Sequence, residues 1–272
     1  MKHFLSIGFV FVVLMIFSVM VSVADLSEGL VAYWPMDEGS GGIAHDATGN
    51  GNDGALLGGA AWETANTASG AACIDFNGTD ALVEMEPFDV LGGGITMAAW
   101  VNAASFNISD GRIISKAVEW GSDDHFWMLS TVNDDHAVRF RLRTDDGQPV
   151  PTLVATSGQL AVGVWAHLAA VWDGTDMKLY ANGQEVGSAA KGGSAVATDP
   201  SVKVSIGSQP TEAFATDPTH VEKYFHGLID EVAIYNRGLS ANEVGELMSG
   251  PPATAVSAAD KLATTWAQVK KR

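Results

Sequence analysis

An oxygen-rich and glycine-rich segment, DATGNGNDG at residues 46–54, is the first candidate for chemistry in this sequence. Asp46 and Asn52 supply side-chain oxygens, and Gly49 lets the chain turn tightly enough to present backbone carbonyls. Calcium accepts about six to eight oxygen ligands in irregular geometry, whereas magnesium requires an octahedron. The segment therefore predicts one side of a structural calcium site.

Asp230, which lies in an apolar run, is predicted to supply the other side of that site. It shares its strand parity with Val232 and Ile234, which would point its carboxylate toward the buried side. Burying an unpaired charge is very costly, and the sequence that follows has no Lys or Arg before Arg237. Its partner must therefore be a cation or several backbone N–H groups. In the alternative without metal, Asp230 accepts hydrogen bonds from the glycine-rich loop.

Aromatic residues next to polar loops are candidates for binding a sugar. Rings stack on sugar faces when polar side chains surround them, and the loops at the ends of a sandwich often carry function. The candidate ligand-binding residues are Trp120, Asp123, Asp124, His125 and Trp62. The alternative is that these positions form ordinary polar connections.

The tripeptide Asp-Asp-His occurs twice, at residues 123–125 and 134–136. The intervening strand 126–132 would span roughly 23 Å at the usual rise per residue. The two clusters are therefore predicted to lie at opposite ends of the fold and not to form one site.

Catalytic arrangements are sparse in this sequence. Retaining glycosidases place two carboxylates as nucleophile and general acid. Glu84 and Glu86 share one face of a predicted strand, but the rest of such an active site is missing. Phosphate-binding loops, nucleophile elbows and zinc-ligand spacings are also absent from the sequence. We predict that the protein is not an enzyme.

The elements that position these residues are predicted to be short strands separated by turns, from about residue 30 to 235. In residues 138–143, three apolar residues alternate with three arginines, which is typical of a half-buried antiparallel strand. Asn182-Gly183 predicts a two-residue hairpin turn, and Ser240 with Glu243 predicts a capped helix. The fold class is therefore an all-β, two-sheet antiparallel jelly-roll sandwich with a short C-terminal helix. Four tryptophans are predicted to lie in its core: Trp34, Trp100, Trp165 and Trp172.

The chain divides into three predicted segments. A basic start and an apolar run that ends in small residues at Ala24 predict a cleaved signal peptide over residues 1–24. An uncleaved anchor is the alternative, because the run is long enough to cross a bilayer. Residues 25–250 form the predicted domain, and residues 251–272 form a linker and a short amphipathic tail.

Composition limits the class of partner. The formal net charge is −17, from 32 acidic and 15 basic residues, so nucleic acid is not an expected partner. A hydrophobic fraction of 47% with only 17% charged residues predicts a globular protein. The single cysteine, Cys73, cannot form an internal disulfide and is predicted to be a small buried hydrophobic residue.

The segment FHGLIDEVAIYNRGLSANEV at residues 225–244 resembles the closing signature of laminin-G-like jelly-roll domains, which occur in many secreted bacterial proteins. These domains belong to the concanavalin A-like lectin and glucanase superfamily. Four earlier segments support the resemblance and occur in the order that the family shows: GLVAYWPMDEGSG, DATGNGNDG, ITMAAWVNA and GVWAHLAAVWDGTDMKLYANGQEVG. The resemblance implies a sandwich, often with a calcium ion near its rim, that binds glycans or proteins. It selects Asp46 and Asp230 as metal ligands, with Asp37 as a further candidate.

These features together predict a secreted, non-catalytic binding module with a structural calcium ion. Its expected ligand is a glycan or an extracellular protein, and no stable membrane insertion is expected after signal cleavage. Two alternatives remain open from the sequence: a structural or adhesive surface component that docks through its tail, and a polysaccharide hydrolase or lyase.

Overall fold

The computed structural model describes residues 25–106, 110–118, 125–132, 136–148, 151–209 and 223–252. The predicted signal peptide and the tail after Pro252 lie outside these residues. Within them the chain forms sixteen β-strands and one α-helix. Among the described residues, no helix is long and apolar enough to span a bilayer.

In chain order, the elements are β1 (Leu30–Trp34), β2 (Ile43–Ala44), β3 (Gly54–Leu57), β4 (Ala61–Glu63), β5 (Cys73–Asn77), β6 (Leu82–Met85), β7 (Ile95–Ala103), β8 (Arg112–Ala117), β9 (His125–Thr131), β10 (Val138–Leu142), β11 (Thr152–Val154), β12 (Ala166–Trp172), β13 (Asp176–Ala181), β14 (Gln184–Ala190), β15 (Val204–Ile206), β16 (His226–Tyr235) and α1 (Ala241–Ser249).

Two antiparallel sheets stack into a sandwich. Sheet 1 has the order β14-β13-β12-β7-β16-β5-β4, and β1 pairs with β16 as well. Sheet 2 has the order β11-β10-β9-β8-β15-β6-β3-β2. Strands that are distant in sequence lie side by side, so the closing strand β16 is central in sheet 1, next to β7. The predicted two-sheet jelly-roll sandwich is confirmed.

The core lies between the two sheets and follows the predicted alternation. In β10, Val138, Phe140 and Leu142 are fully buried in the core. Arg139 and Arg141 take the opposite face of the same strand, since they alternate with the core residues. Other fully buried side chains are Trp34, Trp127, Trp172 and Cys73.

The hairpin between β13 and β14 has the predicted turn. Asn182 has φ 50° and Gly183 has φ 76°, and Ala181 pairs with Gln184 across the turn. Positive φ at both central residues is what a type I′ turn requires, which is why this dipeptide is favoured there.

A second apolar cluster lies on the outer face of sheet 1, where α1 covers it. Its buried residues are Leu26, Tyr33, Ala98, Ala169, Val171, Tyr180, Ala233, Tyr235, Leu239, Val244 and Leu247. Ser240 caps the helix: its Oγ accepts from the Glu243 N–H at 3.3 Å, and its own N–H donates to Glu243 Oε2 at 2.8 Å. The predicted capping box is therefore confirmed. The central strands of sheet 1 are buried on both faces.

A β-bulge in β16 changes the direction predicted for Asp230. Glu231 has φ 53°, and the register with β7 shifts after Asp230. Ile229 and Val232 both lie in the core, so Asp230 points to the outer face of sheet 1, opposite Trp100. The parity argument was wrong because a bulge breaks the two-residue period of a strand. Asp230 is nevertheless completely buried.

Candidate functional site

Asp46 is buried, and hydrogen bonds fill both of its carboxylate oxygens. Oδ1 accepts from the Tyr33 N–H at 3.2 Å and from the N–H and hydroxyl of Thr48 at 3.0 and 2.7 Å. Oδ2 accepts from the backbone N–H and the side-chain amide of Asn52, both at 3.1 Å. These bonds attach the glycine-rich loop to β1. Accepting hydrogen bonds in this way is the alternative to metal binding for a buried carboxylate.

The other residues predicted to bind calcium also take part in loop contacts. The Asn52 amide donates to the Val31 carbonyl at 3.2 Å. Gly49 has φ 79°, so it turns the chain as predicted. Asp37 contacts another segment, since its Oδ1 accepts from the backbone N–H groups of Ala71 and Ala72.

Asp230 accepts hydrogen bonds from a different loop. Its Oδ2 accepts from the Ala68 N–H at 3.0 Å and from the Ser69 N–H at 3.1 Å. Its Oδ1 is buried and has no hydrogen-bond partner in the described part of the chain. Burial is the main cause that raises the pKa of Asp230 to about 7. In the part of the chain that the structure describes, Asp46 and Asp230 share no hydrogen-bond partner.

The described residues contain no group of three or more His, Cys, Asp or Glu side chains that could hold a metal ion. The donors around Asp46 do not fit a cation, because each one points an N–H or O–H at the carboxylate. Asp230 fits better, since of the predicted ligands it alone offers a buried side-chain oxygen without a partner among the described residues. The calcium ion stays a prediction.

Trp100 and Trp165 are not in the core between the sheets, so that prediction was wrong. Both side chains are partly exposed. Trp100 lies opposite His167 of β12, with the rings edge to face and their centroids 5.4 Å apart. Trp165 donates from Nε1 to Asn66 Oδ1 at 3.0 Å. Sheet 1 is covered on its outer face too, so aromatic residues can pack on either side of its strands.

His167 is expected to make the domain less stable in acid. Burial lowers the pKa of His167 to about 4, whereas an unperturbed histidine titrates near about 6.5. Between these pH values the unfolded chain binds a proton that the folded chain does not, so the free energy of unfolding falls as the pH falls. Urea unfolding at pH 7 and pH 5 should show that the free energy of unfolding falls less for His167→Gln than for the wild type. An equal loss in both proteins would contradict this assignment.

The structure describes two of the five predicted ligand-binding residues. Trp120, Asp123 and Asp124 lie outside the described residues. His125 begins β9 and is buried, with its Nε2 3.0 Å from Arg112 Nη2. Trp62 in β4 is half-buried against the core, and its Nε1 donates to the Gly41 carbonyl at 2.9 Å. Neither residue presents a fully exposed ring, and the role of all five in ligand binding stays a prediction.

A cleft of about 930 Å³ opens where several strands end. We call it the rim cleft. Its lining comes from Leu91-Gly92, from Phe126 in β9, from the loop after β10 at residues 143–148, and from residues 195–199. Phe126 follows His125 at the start of β9, so the cleft lies at that end of the strand. The loops at 143–148 and 195–199 were not predicted to take part, because only the sheet topology brings them together.

The rim cleft combines charged, amide and apolar groups. Arg143 is exposed, and its Cζ lies 5.6 Å from the centroid of the Phe126 ring. The Gln148 side chain is exposed in the same loop, and Leu91 is 69% exposed. Such a surface can donate and accept hydrogen bonds beside an apolar patch.

Two carboxylates among the described lining residues, Asp145 and Asp199, are fixed acceptors. Asp145 accepts from the N–H and hydroxyl of Ser194 and from the Ala195 N–H, at 2.5–3.0 Å. The Ser194 hydroxyl is the main cause that lowers the pKa of Asp145 to about 2. Hydrogen bonds from Ser201 likewise lower the pKa of Asp199. Both groups are ionised at neutral pH, so neither can act as a general acid there.

A second pocket of about 400 Å³ lies beside Trp165. We call it the Trp165 pocket. Its polar lining residues include Ser157, Gln159, Asn182, Gln184 and Glu185. A partly exposed indole with amides around it also suits a sugar ring. This pocket is the competitor of the rim cleft, and sequence reasoning missed it because Trp165 was assigned to the core.

Residues 77–245 match the model of the concanavalin A-like lectin/glucanases superfamily. A stretch of 104 residues is 34% identical to pappalysin-1 of Mus musculus. That match covers 35% of this chain but only 6% of pappalysin-1, so the chain spans a small part of this relative.

Solved structures of other proteins share the fold. Domain 4 of AbnA, a GH43 extracellular arabinanase from Geobacillus stearothermophilus solved with arabinotriose, superposes with a TM-score of 0.60 at 20% identity, over 80% of this chain and 98% of that one. The binding domain of Paraclostridial Mosquitocidal Protein 1 gives a TM-score of 0.58 at 15% identity, over 82% of this chain and 52% of that one. The sandwich and the family match over more than half of the sequence agree: the chain belongs to the concanavalin A-like lectin/glucanase superfamily.

Proposed function

We propose that this domain is a non-catalytic binding module that holds a glycan in the rim cleft. The observation that carries the proposal is the cleft itself. Its volume of about 930 Å³ falls within the range of about 300–1,000 Å³ that is common for ligand sites. Its loops stand on a rigid sandwich, which positions them without a large ordering cost on binding. The predicted signal peptide would place the module outside the cell.

The groups in the rim cleft suit the chemistry of a saccharide. A sugar presents hydroxyl groups around apolar C–H faces. Asp145 is a fixed acceptor and Arg143 a donor for hydroxyl groups, while Leu91 offers an exposed apolar side chain. The arabinotriose bound to domain 4 of AbnA supports the choice of a saccharide as the first ligand class to test.

The charge state of the cleft supports binding without cleavage. Glycosidases need a carboxylic acid that is protonated before the bond breaks. Hydrogen bonds hold Asp145 and Asp199 in the ionised form. We therefore expect the glycan to leave the cleft uncut.

A glycan array with the exported chain should identify saccharides that bind, and titration calorimetry should measure their affinity. Gln148→Ala is expected to weaken binding by about tenfold, which corresponds to the loss of roughly 1.4 kcal/mol from hydrogen bonding. The matched control is Gln184→Ala, an exposed glutamine of the Trp165 pocket, which should bind as the wild type does.

The reverse pattern would contradict the assignment. A loss of affinity in Gln184→Ala with unchanged binding in Gln148→Ala would place the ligand in the Trp165 pocket. Release of reducing sugar from a bound polysaccharide would contradict the non-catalytic role.

We include in the proposal a structural calcium ion that contacts Asp230, the predicted ligand with a buried oxygen that lacks a described partner. A cation there would compensate the charge that burial disfavours. Calcium is therefore expected to raise the melting temperature relative to chelator, because it binds only the folded state. The Asp230→Asn variant should lose this calcium response. A wild-type melting temperature that is equal in calcium and in chelator would exclude the ion.

A further inference from the structure

The outer face of sheet 2 carries a concentration of positive charge in a strongly acidic protein. The chain has a formal net charge of −17. Within the part of this face that the structure describes, however, four basic side chains surround one carboxylate, that of Asp110. They are Arg112, Arg139, Arg141 and Lys223. We call this group the arginine face.

The strand register explains why these side chains meet. Arg112 of β8 and Arg139 of β10 both pair with Ser130 of β9, which lies between them. Arg141 pairs with Met128 in the neighbouring row. The guanidinium groups of Arg112 and Arg139 both reach the sulfur of Met128. Two like charges thus converge on an uncharged thioether.

The ion pairs on this face leave a positive excess. Asp110 bonds Arg139 Nη1 at 2.6 Å and Lys223 Nζ at 2.7 Å, so its two oxygens serve two cations. The Arg141 Nε donates to the hydroxyl of Thr152 at 3.0 Å. Among the described residues, the arginine face therefore has four cations and one carboxylate.

Arg112 is the least compensated of the four cations. It is only 1% exposed. Its Nη2 contacts His125 Nε2 at 3.0 Å and Gln209 Oε1 at 3.5 Å, neither of which is a carboxylate. Its Nε is buried without a hydrogen-bond partner in the described part of the chain. Burial, together with the charge of Arg139, lowers the pKa of Arg112 to about 9.

A negatively charged ligand would compensate the excess of positive charge on the arginine face. Charged groups taken out of water are costly unless they are paired and hydrogen-bonded. Arg141 and Lys223 are only half-buried, so they form the accessible edge of the cluster. The planar fork of an arginine matches the geometry of a carboxylate through two parallel hydrogen bonds.

We propose that the arginine face binds the carboxylate of an acidic saccharide, such as a uronic acid. A sugar with a single negative charge meets the local cations, whereas the net charge of the whole chain repels a polyanion such as nucleic acid. The four basic residues are not among those that line the rim cleft, and the inference goes beyond the proposed function, because this site selects for charge.

The test uses the exported chain with sodium glucuronate, glucose and sodium sulfate at constant ionic strength, followed by thermal melting and titration calorimetry. Glucuronate is expected to raise the melting temperature, and glucose is not. Arg141→Gln should weaken glucuronate binding by about tenfold or more, while its binding of array-selected neutral glycans stays at the wild-type level. Lys178→Gln is the matched control: it removes one cation from sheet 1, where Lys178 pairs with Asp173, and should bind glucuronate normally.

Three results would overturn the inference. An equal response to glucose and glucuronate would show that the carboxylate is not recognised. A response to sulfate without one to glucuronate would indicate an inorganic anion site. Equal losses of glucuronate affinity in Arg141→Gln and Lys178→Gln would show that the overall charge of the chain, and not the arginine face, causes the effect. The responses to glucuronate do not involve Gln148, so they test the arginine face independently of the rim cleft.

Discussion

Replacing Gly227 with alanine is expected to lower the free energy of unfolding by more than about 4 kcal/mol, which is an exceptional loss for one methyl group. Gly227 lies in β16 with φ 139°. A Cβ at this position would meet the Asn102 carbonyl oxygen at 2.2 Å and the Ala104 nitrogen at 2.7 Å. Both are backbone atoms at or next to the central strand β7, so no side-chain rotation can relieve the clash. The closing motif therefore needs glycine here.

Gly245→Ala is the matched control for this substitution. Gly245 lies inside α1, and an added Cβ would have no described atom within 4 Å apart from its chain neighbours and the backbone of the helix itself. Alanine is expected to stabilise the domain there by about 0.5–1 kcal/mol, because glycine loses more backbone entropy in a helix. Urea unfolding of the two variants measures the contrast. A Gly227→Ala protein as stable as the wild type would show that β16 and β7 do not pack so closely.

Replacing Asp46 with alanine is expected to cost about 3 kcal/mol or more of unfolding free energy. The variant would leave the donors of Tyr33, Thr48 and Asn52 without their acceptor. Hydrogen bonds to a charged group contribute roughly 1.5–3 kcal/mol each, and buried donors left unpaired add to the loss. The loop at residues 46–54 would then lose its attachment to β1.

Asp46→Asn is the control, because it keeps one carbonyl oxygen and should lose only part of the stability. The loss of unfolding free energy in each of the two variants is expected to be the same in calcium and in chelator, since hydrogen bonds occupy the Asp46 oxygens. A loss in Asp46→Ala that appears only in calcium would instead make Asp46 a metal ligand. A loss below about 1 kcal/mol would show that water replaces these contacts without penalty.

Local patterns in the sequence predicted much of the fold. The alternation in residues 138–143 predicted β10 and the face that its arginines take. Asn182-Gly183 predicted a turn that needs two positive φ angles, and Ser240 with Glu243 predicted the start of α1. Each of these features depends on residues close together in the chain, so the sequence displays it directly.

The predictions that were wrong concern features that depend on contacts between residues distant in the chain. The bulge at Glu231 turns Asp230 to the outer face of sheet 1, and nothing in the strand pattern marks the extra residue. Trp100 and Trp165 were assigned to the core, although the core is not the only covered side of sheet 1. Alternation predicts two faces but does not identify which of them meets the other sheet.

The candidate sites were the least predictable part of the molecule. Residues 143–148 and 195–199 are about fifty positions apart, and Asp145 joins them through Ser194 and Ala195. The arginine face likewise needs β8 and β10 to flank β9. The sequence shows the arginines of β10, but only the sheet order adds Arg112 and Asp110 to them.

The most direct test of the rim cleft as a glycan site is to map amide chemical shifts by NMR while the exported chain is titrated with an array-selected saccharide. The largest shifts are expected at residues 143–148 and 195–199, which line the cleft, and the saccharide should be recovered intact. Shifts confined to residues 157–166 and 181–186 around the Trp165 pocket, or a cleaved saccharide, would contradict the proposed function.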